Sequence, residues 1–285
     1  MAELLKGKEA ADAINEETIQ CISELKEAGI DVCLAIVRVG ERPDDISYEK
    51  GAVKRCEAVG ASVRKVLLPA DVDADTFYKT LDDLNRDPSV HGILMFRPLP
   101  QELNNERARN AIVPEKDIDG CSDGSLAGVF TGNRKGFAPC TAEAAIAVLD
   151  HYGIELSGKR AVVLGRSLVV GRPLAMMLVQ RNATVTICHT RTKDIPSIAR
   201  EADLLFTCMG QPEKVDASYV REGQTVIDIS ICWNKEKGKL CGDCAFEEVE
   251  PVAENITPVP GGVGAVTTAV LMRHLAQAAK RASGR

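Results

Sequence analysis

The chain has 285 residues, 45% of them hydrophobic and 27% charged, with 35 Lys and Arg against 41 Asp and Glu for a net charge of −6. That length predicts two domains, and the composition excludes long disordered stretches. A mildly acidic whole argues against broad binding to nucleic-acid backbones, yet leaves room for a local basic pocket that takes one nucleotide.

No apolar run reaches about 18 residues, so no membrane-spanning helix is expected. The N-terminus, MAELLKGKEAADAINEE, is charged throughout and lacks the apolar core of a secretory signal, so the protein is read as cytoplasmic. In that setting the 10 cysteines read as reduced thiols. Cys241-Gly-Asp-Cys244 is a lone CxxC with no second pair or nearby His, a weak pattern for zinc, and no metal is expected.

In chain order, residues 7–28 predict a helix, with Ala11, Ile14, Ile19, Ile22 and Leu25 along one face and Gly29 as its stop. The run VCLAIVRV, residues 32–39, reads as a buried strand. A helix over 45–59, a strand over 63–68, a helix over 73–85 and a strand over 90–96 follow. Residues 102–137, rich in Gly, Asn and Asp, read as loops and a short helix. Strands are then expected at 161–165, 184–189, 204–208 and 226–231. Helices are expected at 173–181, 195–201 and 267–280. This alternation predicts an α/β fold with mostly parallel, doubly covered sheets.

Four segments offer chemistry. Gly165-Arg166-Ser167-Leu-Val-Val170-Gly171-Arg-Pro173 follows a strand and opens a helix, where a doubly wound fold presents backbone N–H groups to phosphate. Its spacing is not GxGxxG, so a purely structural turn stays open. At the end of the next strand, where an NAD-preferring domain carries Asp or Glu, the chain reads His189-Thr190-Arg191. A hydroxyl and a guanidinium suit a 2′-phosphate, and Arg166 adds a second cation, which leans toward NADP; a solvated Arg191 is the alternative. Pro258-Val-Pro260-Gly-Gly262-Val-Gly264 makes a tight open loop where a flat ligand can approach the backbone, or simply a turn. Pro114-Glu-Lys-Asp117-Ile-Asp119-Gly120 sets a carboxylate before a glycine, either facing a polar ligand or exposed on a turn. His91, His151, His189 and His274 show no metal-ligand spacing; His189 is expected near a cofactor, the others in structural or surface roles. Cys140 and Cys188 are assigned packing roles.

Taken together, and in this order, these segments resemble the methylenetetrahydrofolate dehydrogenase/methenyltetrahydrofolate cyclohydrolase family. The likeness spans nearly the whole chain. It includes Val39-Gly40, Tyr48, the HGIL stretch before Pro98-Leu-Pro100, Asp117-Ile-Asp119-Gly120 and Pro139-Cys-Thr141. It continues through Ser157-Gly-Lys159, GRSxxVGxP, Ala183 to His189, and PVPGGVG with Thr267-Thr268. The resemblance implies two α/β domains with a folate cleft between them. The first is a folate-binding catalytic domain of residues 1–140 plus the C-terminal helix 265–285, and the second a Rossmann-type nicotinamide domain of residues 141–264. It implies one-carbon metabolism: hydride transfer from 5,10-methylenetetrahydrofolate to NADP+ or NAD+, then hydrolysis of the methenyl product to 10-formyltetrahydrofolate. A homodimer is implied as well. By resemblance Tyr48 stacks on the folate, Asp119 holds the pterin, and Pro260 and Gly262 lie at the folate and nicotinamide edge. Gly165, Arg166, Ser167, Val170, Gly171, His189, Thr190, Arg191 and Ile231 are the expected cofactor residues.

The chain departs from the family at two polar groups. The family's catalytic Lys, four residues after the tyrosine, is Ala52, and the glutamine that partners it is Phe96. On a helix a residue four along lies roughly 40° from Tyr48, whereas Lys50 and Lys54 lie about 200° and 240° away, so neither substitutes. Losing a positioned acid–base group lowers a rate by about 10²–10⁴-fold. The cyclohydrolase step is therefore expected to be weak or lost, while hydride transfer, which needs alignment more than proton movement, survives. Arg97 adds a cation beside Phe96, but it cannot cycle by proton loss. Full bifunctionality, a catalytically silent folate or nucleotide binder, and a dehydrogenase for another substrate are the competing readings. A silent binder has no chemical need for both intact loops, and Tyr48 and Asp119 argue against another substrate.

Overall fold

The computed structural model describes residues 1–133 and 135–284. Residue 134, in the expected loop segment, and residue 285, in the expected C-terminal helix range, lie outside the described residues. The chain begins with a two-residue strand, β1 (Glu3–Leu4), and helix α1 (Gly7–Glu27). β2 (Cys33–Val39) is buried along its whole length, as an unbroken apolar run requires of a strand covered on both faces. Its one charged member, Arg38, is buried against Glu49, with Nε 2.8 Å from Oε2. Glu49 lies on α2 (Pro43–Ala58), which starts with proline at its first turn and two acids, Asp44 and Asp45, favourable at a helix N-terminus.

β3 (Ser62–Leu68), α3 (Ala74–Arg86) and β4 (Gly92–Met95) follow. Asp73 caps α3 by accepting the Thr76 N–H at 2.8 Å. Phe77, Leu81 and Leu84 form the buried stripe of that helix. The segment read as loops holds two helices, α4 (Asn105–Ala111) and α5 (Asp123–Thr131). Helix α6 (Cys140–His151), where no element was expected, comes next. β5 (Arg160–Leu164), α7 (Gly171–Gln180), β6 (Thr184–Cys188), α8 (Ile195–Arg200), β7 (Leu204–Thr207) and β8 (Thr225–Asp228) match the expected alternation to within a few residues. β8 ends at Asp228, three residues short of the expected strand end at 231, and a hairpin of β9 (Cys232–Asn234) and β10 (Lys239–Cys241) follows. A short helix α9 (Phe246–Val249), a two-residue strand β11 (Asn255–Ile256) and helix α10 (Val263–Ala282) complete the chain.

Two units result. One comprises Ala13–Cys140 and the residues from Thr268 onward, the other Met1–Asp12 and Thr141–Thr267. The first twelve residues, assigned to the N-terminal domain on sequence, belong instead with the second unit, because β1 pairs in parallel with β11. The first unit holds a parallel sheet in the order β3-β2-β4. Its core includes Val37, Phe77, Leu81, Ile93 and Leu103. The second holds a six-stranded sheet in the order β1-β11-β8-β7-β5-β6, with every pairing parallel. From β5 the chain steps outward to β6 and then returns to β7 on the other side. The strand order thus reverses at the carboxyl end of β5, the position where open α/β sheets bind ligands.

Phe77 is fully buried in the first core. Phe77→Ala is expected to destabilise that unit by about 3–5 kcal/mol, through lost burial and the cavity left behind. Urea unfolding followed by circular dichroism measures it, and a loss below about 1 kcal/mol would mean the site collapses around the smaller side chain.

Candidate active site

In the three-stranded unit, α2 sets Tyr48 one turn in from its start, 59% exposed. Ala52, one further turn along, is buried, while Lys50 and Lys54 are exposed, as helical spacing requires. The Phe96 ring, at the carboxyl end of β4, is buried and stands edge-on to Tyr48, with ring centroids 5.8 Å apart at 87°. Between Tyr48 and Lys50, Glu49 turns the other way, to Arg38 and to Lys65 at 3.1 Å. Burial alone would raise its carboxyl, but the hydrogen bonds from Arg38 and Lys65 outweigh it and hold the group below the usual carboxylate range.

Asp119 sits on the loop that runs beside β4, where the Ile93 N–H donates to the Lys116 carbonyl at 2.8 Å. The two acids of the Asp-Ile-Asp-Gly motif divide their work. Asp117 is fully buried; its Oδ2 accepts from the Ser122 N–H and the Ser125 hydroxyl, both at 2.7 Å, and its Oδ1 from the Cys121 N–H at 3.1 Å. Asp119 instead projects to a half-buried position, with Oδ2 3.6 Å from Arg97 Nη2. Burial raises the Asp119 carboxyl above its ordinary value, and the Arg97 cation opposes that rise. Gly120 must be glycine: its φ is +69°, and a Cβ there would lie 2.4 Å from the Ala138 carbonyl oxygen. Cys140, assigned a packing role on sequence, donates its thiol to the Ile118 carbonyl at 3.2 Å. His274 is buried in a structural position, its Nδ1 2.8 Å from the same oxygen.

In the six-stranded unit, Gly165 is the first residue after β5, with φ +128°. A Cβ on Gly165 would meet the Cys208 carbonyl oxygen at 2.5 Å, and one on Gly171 would meet the Gly165 carbonyl oxygen at 2.2 Å. The strand–helix turn is therefore closed backbone to backbone, as a phosphate-binding turn requires. Ser167 Oγ accepts from the Val170 N–H at 3.1 Å and shapes the turn. At the end of neighbouring β6, His189 Nδ1 accepts the Arg191 N–H at 3.1 Å, and the His189 N–H donates to Thr192 Oγ1 at 2.9 Å. Thr190 and Arg191 are exposed on this turn, as are Arg166 and Ser167 on theirs. The guanidinium groups of Arg166 and Arg191 have no protein partner among the described residues.

Ile231 is 54% exposed in the connection between β8 and β9, and a Cβ on Gly264 would come within 2.5 Å of its Cδ1. That puts Ile231 against the loop carrying Pro260 and Gly262. The same loop closes on the start of α1: the Gly7 N–H donates to the Gly261 carbonyl at 2.8 Å, and a Cβ on Gly7 would lie 2.0 Å from the Gly262 carbonyl oxygen.

Asp243 is a residue that sequence reasoning missed. It lies between the two cysteines of the CxxC, fully buried. Its carboxylate accepts from the N–H groups of Met209 and Gln211 at 2.6 and 2.7 Å and from the Ser230 hydroxyl at 2.8 Å. It thus braces the loops that leave the carboxyl ends of β7 and β8. Its buried neighbour Asp228 accepts from Thr207 Oγ1 and from the Asp243 and Cys244 N–H groups. Burial nevertheless pushes the Asp228 carboxyl up to about 6. The Cys208 thiol is pushed up to about 12 by burial, which makes it a poor nucleophile.

The structure thus joins Tyr48, Phe96, Arg97 and Asp119 within one unit. It joins the Gly165–Gly171 turn, the His189–Arg191 turn, Ile231 and the Pro258–Gly264 loop within the other. Pro260 and Gly262, expected at the substrate, belong to a different unit from Tyr48 and Asp119.

Residues 5–119 match the model of the tetrahydrofolate dehydrogenase/cyclohydrolase catalytic domain, and residues 139–283 match that of the family's NAD(P)-binding domain. A protein from Carboxydothermus hydrogenoformans named bifunctional protein FolD is 49% identical over 285 residues, covering 100% of this chain and 99% of its own. The crystal structure of the bifunctional enzyme FolD from Campylobacter jejuni superposes with a TM-score of 0.94 at 37% identity, over 99% of both chains. The Trypanosoma brucei methylenetetrahydrofolate dehydrogenase-cyclohydrolase, solved with NADP cofactor and inhibitor, gives a TM-score of 0.89 at 33% identity, over 100% of this chain and 99% of its own. This chain belongs to the tetrahydrofolate dehydrogenase/cyclohydrolase family.

Proposed function

We propose that this protein oxidises 5,10-methylenetetrahydrofolate to 5,10-methenyltetrahydrofolate with NADP+ as the preferred hydride acceptor over NAD+, and that its cyclohydrolase step is weak or lost. The observation that carries this reading is the pairing of Tyr48 with two buried apolar groups. Phe96 packs edge-on to its ring, and Ala52 occupies the next turn of its helix. These are the positions that resemblance gives to a glutamine and a lysine. With both gone, no group at either position gives or takes a proton at neutral pH.

Hydride transfer asks less of these residues. Tyr48 offers its ring to the folate, and Asp119 accepts hydrogen bonds from the pterin's N–H groups. The turn of Gly165, Arg166, Ser167, Val170 and Gly171 would hold the cofactor phosphates, its glycines giving the close backbone approach and Arg166 a cation. Thr190 and Arg191, with His189 shaping their turn, take the 2′-phosphate. Ile231, Pro260 and Gly262 form the apolar edge at the nicotinamide. Bound NADP+ supplies the ring that accepts the hydride; the protein supplies alignment and the exclusion of water. The unpartnered guanidinium groups and the glycine-closed turn fit this cofactor, and the NADP complex of the Trypanosoma brucei relative supports it. We assign the folate to the three-stranded unit and the dinucleotide to the six-stranded unit, in a cytoplasmic homodimer serving one-carbon metabolism. Analytical ultracentrifugation tests the dimer.

The test of the activity follows reduced nicotinamide and methenyl absorbance together, with methylenetetrahydrofolate and NADP+, then NAD+. Reduced cofactor should form while the methenyl product accumulates and decays at its uncatalysed rate. Decay faster than the enzyme-free control supports the second reading, a fully bifunctional enzyme, which the relatives' name of bifunctional protein favours. No reduced cofactor with either nucleotide rejects the dehydrogenase reading.

A further inference from the structure

Asp119 accepts no hydrogen bond from any described residue, so its lone pairs are left for a ligand. The same half-buried setting works against its charge, since desolvation favours the neutral acid. A neutral Asp119 loses acceptor capacity toward the N–H donors of a pterin. The structure holds one answer to this. Arg97 Nη2 is 3.6 Å from Asp119 Oδ2, with 32% of the arginine side chain exposed. Arg97 sits on a pinned loop: the Phe96 N–H donates to the Val37 carbonyl at 3.0 Å, and the Leu99 N–H donates to Asn105 Oδ1 at 2.8 Å. Arg42 Nη1 adds a hydrogen bond to the Pro98 carbonyl at 3.1 Å. The guanidinium is thus carried on a backbone fixed on both sides, and it stays charged at every working pH.

The other ionisable groups around Asp119 do not replace it. Asp117, on the same loop, acts in the opposite direction and is committed to Cys121, Ser122 and Ser125. The Cys121 thiol is itself held protonated by burial and by Asp117. His274, from α10, favours the carboxylate only when it carries a proton, and its Nδ1 is already against the Ile118 carbonyl. Arg97 is the permanent cation among the groups that act on Asp119.

We propose that Arg97 is a positioning residue for substrate binding: its fixed cation keeps Asp119 ionised and leaves the carboxylate free to accept the pterin's N–H donors. The role rests on the assignment of Asp119 to the folate. It predicts that substrate binding persists to lower pH with Arg97 in place than without it, because desolvation raises the Asp119 carboxyl and the cation opposes that rise. It also predicts that the contribution of Arg97 is electrostatic, so that lysine largely replaces it and leucine does not.

Two measurements on the full-length protein test this. The first is a carboxyl ¹³C NMR titration of the ligand-free protein, with the Asp119 resonance identified by its loss in Asp119→Asn. Arg97→Leu should move the Asp119 titration to higher pH by about one unit, and Arg97→Lys should return it close to the original. The second is KM for methylenetetrahydrofolate against pH. Arg97→Leu should raise KM about 10-fold on the acid limb and far less on the alkaline side, with KM for NADP+ unmoved. An unchanged titration in Arg97→Leu overturns the proposal, as does a KM defect equal at all pH values or equal in the leucine and lysine variants. The titration needs no turnover, so it judges Arg97 even if the folate assignment fails in the activity assay.

Discussion

Ala52→Lys combined with Phe96→Gln is expected to raise hydrolysis of the methenyl product by about 10²–10⁴-fold, the usual worth of a positioned acid–base group. Position 52 lies one helical turn beyond Tyr48, so a lysine there reaches the same face as the tyrosine ring. The double change is needed for a physical reason. A lysine at buried position 52 without a polar partner leaves a desolvated ammonium, which costs several kcal/mol or a neutral amine. Glutamine, which the resemblance pairs with that lysine, supplies the acceptor. The decay of methenyltetrahydrofolate absorbance, corrected for the uncatalysed rate, gives the answer. The dehydrogenase rate, measured on the same preparation, shows whether removing the Phe96 ring beside Tyr48 disturbs the rest of the site. No gain in the double variant would mean that Ala52 and Phe96 do not limit the hydrolytic step.

The second large effect is expected at the Gly165–Gly171 turn, proposed to hold the cofactor. Gly165→Ala asks an L-residue to adopt φ +128° and to hold a Cβ 2.5 Å from the Cys208 carbonyl oxygen. The obstacle is backbone, so the turn itself must shift. A displacement of the order of an ångström in a positioning element costs about 10²-fold in rate. kcat/KM with respect to NADP+ should fall by at least that factor. Binding of a folate analogue to the three-stranded unit, followed by Tyr fluorescence quenching, should persist. If both functions are lost and the far-ultraviolet dichroism collapses, the substitution has unfolded the unit. Gly171→Ala, whose Cβ meets the Gly165 carbonyl oxygen at 2.2 Å, should then fail in the same way.

Much of the fold was legible because its strands are short apolar runs and its helices carry stripes. β2 is read from VCLAIVRV, α3 from Phe77, Leu81 and Leu84, and the cofactor turn from a glycine that ends a strand and another that opens a helix. Helix α6 escaped because CTAEAAIAVLDH is small and apolar on nearly every side, leaving no polar face to set a period. β1 and β11 are two residues each, too short for alternation to register. The strand expected to run to Ile231 stops at Asp228, where the chain turns to a buried carboxylate and then outward to an exposed Ile231. In the candidate site, Tyr48 and Asp119 were singled out through family motifs. The bracing of Asp243 to Met209 and Gln211 was not, because hydrogen bonds between loops more than thirty residues apart leave no local pattern. The contact of Arg97 with Asp119 was hidden for the same reason, since no local pattern pairs two residues on separate loops.

The pairing of β1 with β11 reaches beyond the finished molecule to the way it is made. Glu3 is matched to Asn255 and Leu4 to Ile256, so the outermost seam of the larger sheet joins residues about 250 positions apart in sequence. During translation β1 has no partner until β11 has left the ribosome. Closure of such a distant contact is slow, and β11 waits with one hydrogen-bonding edge open. A fragment beginning near residue 141 would carry that open edge permanently. Truncations that look conservative on a domain map should therefore aggregate, whereas a chain that keeps Glu3 and Leu4 seals the sheet with them.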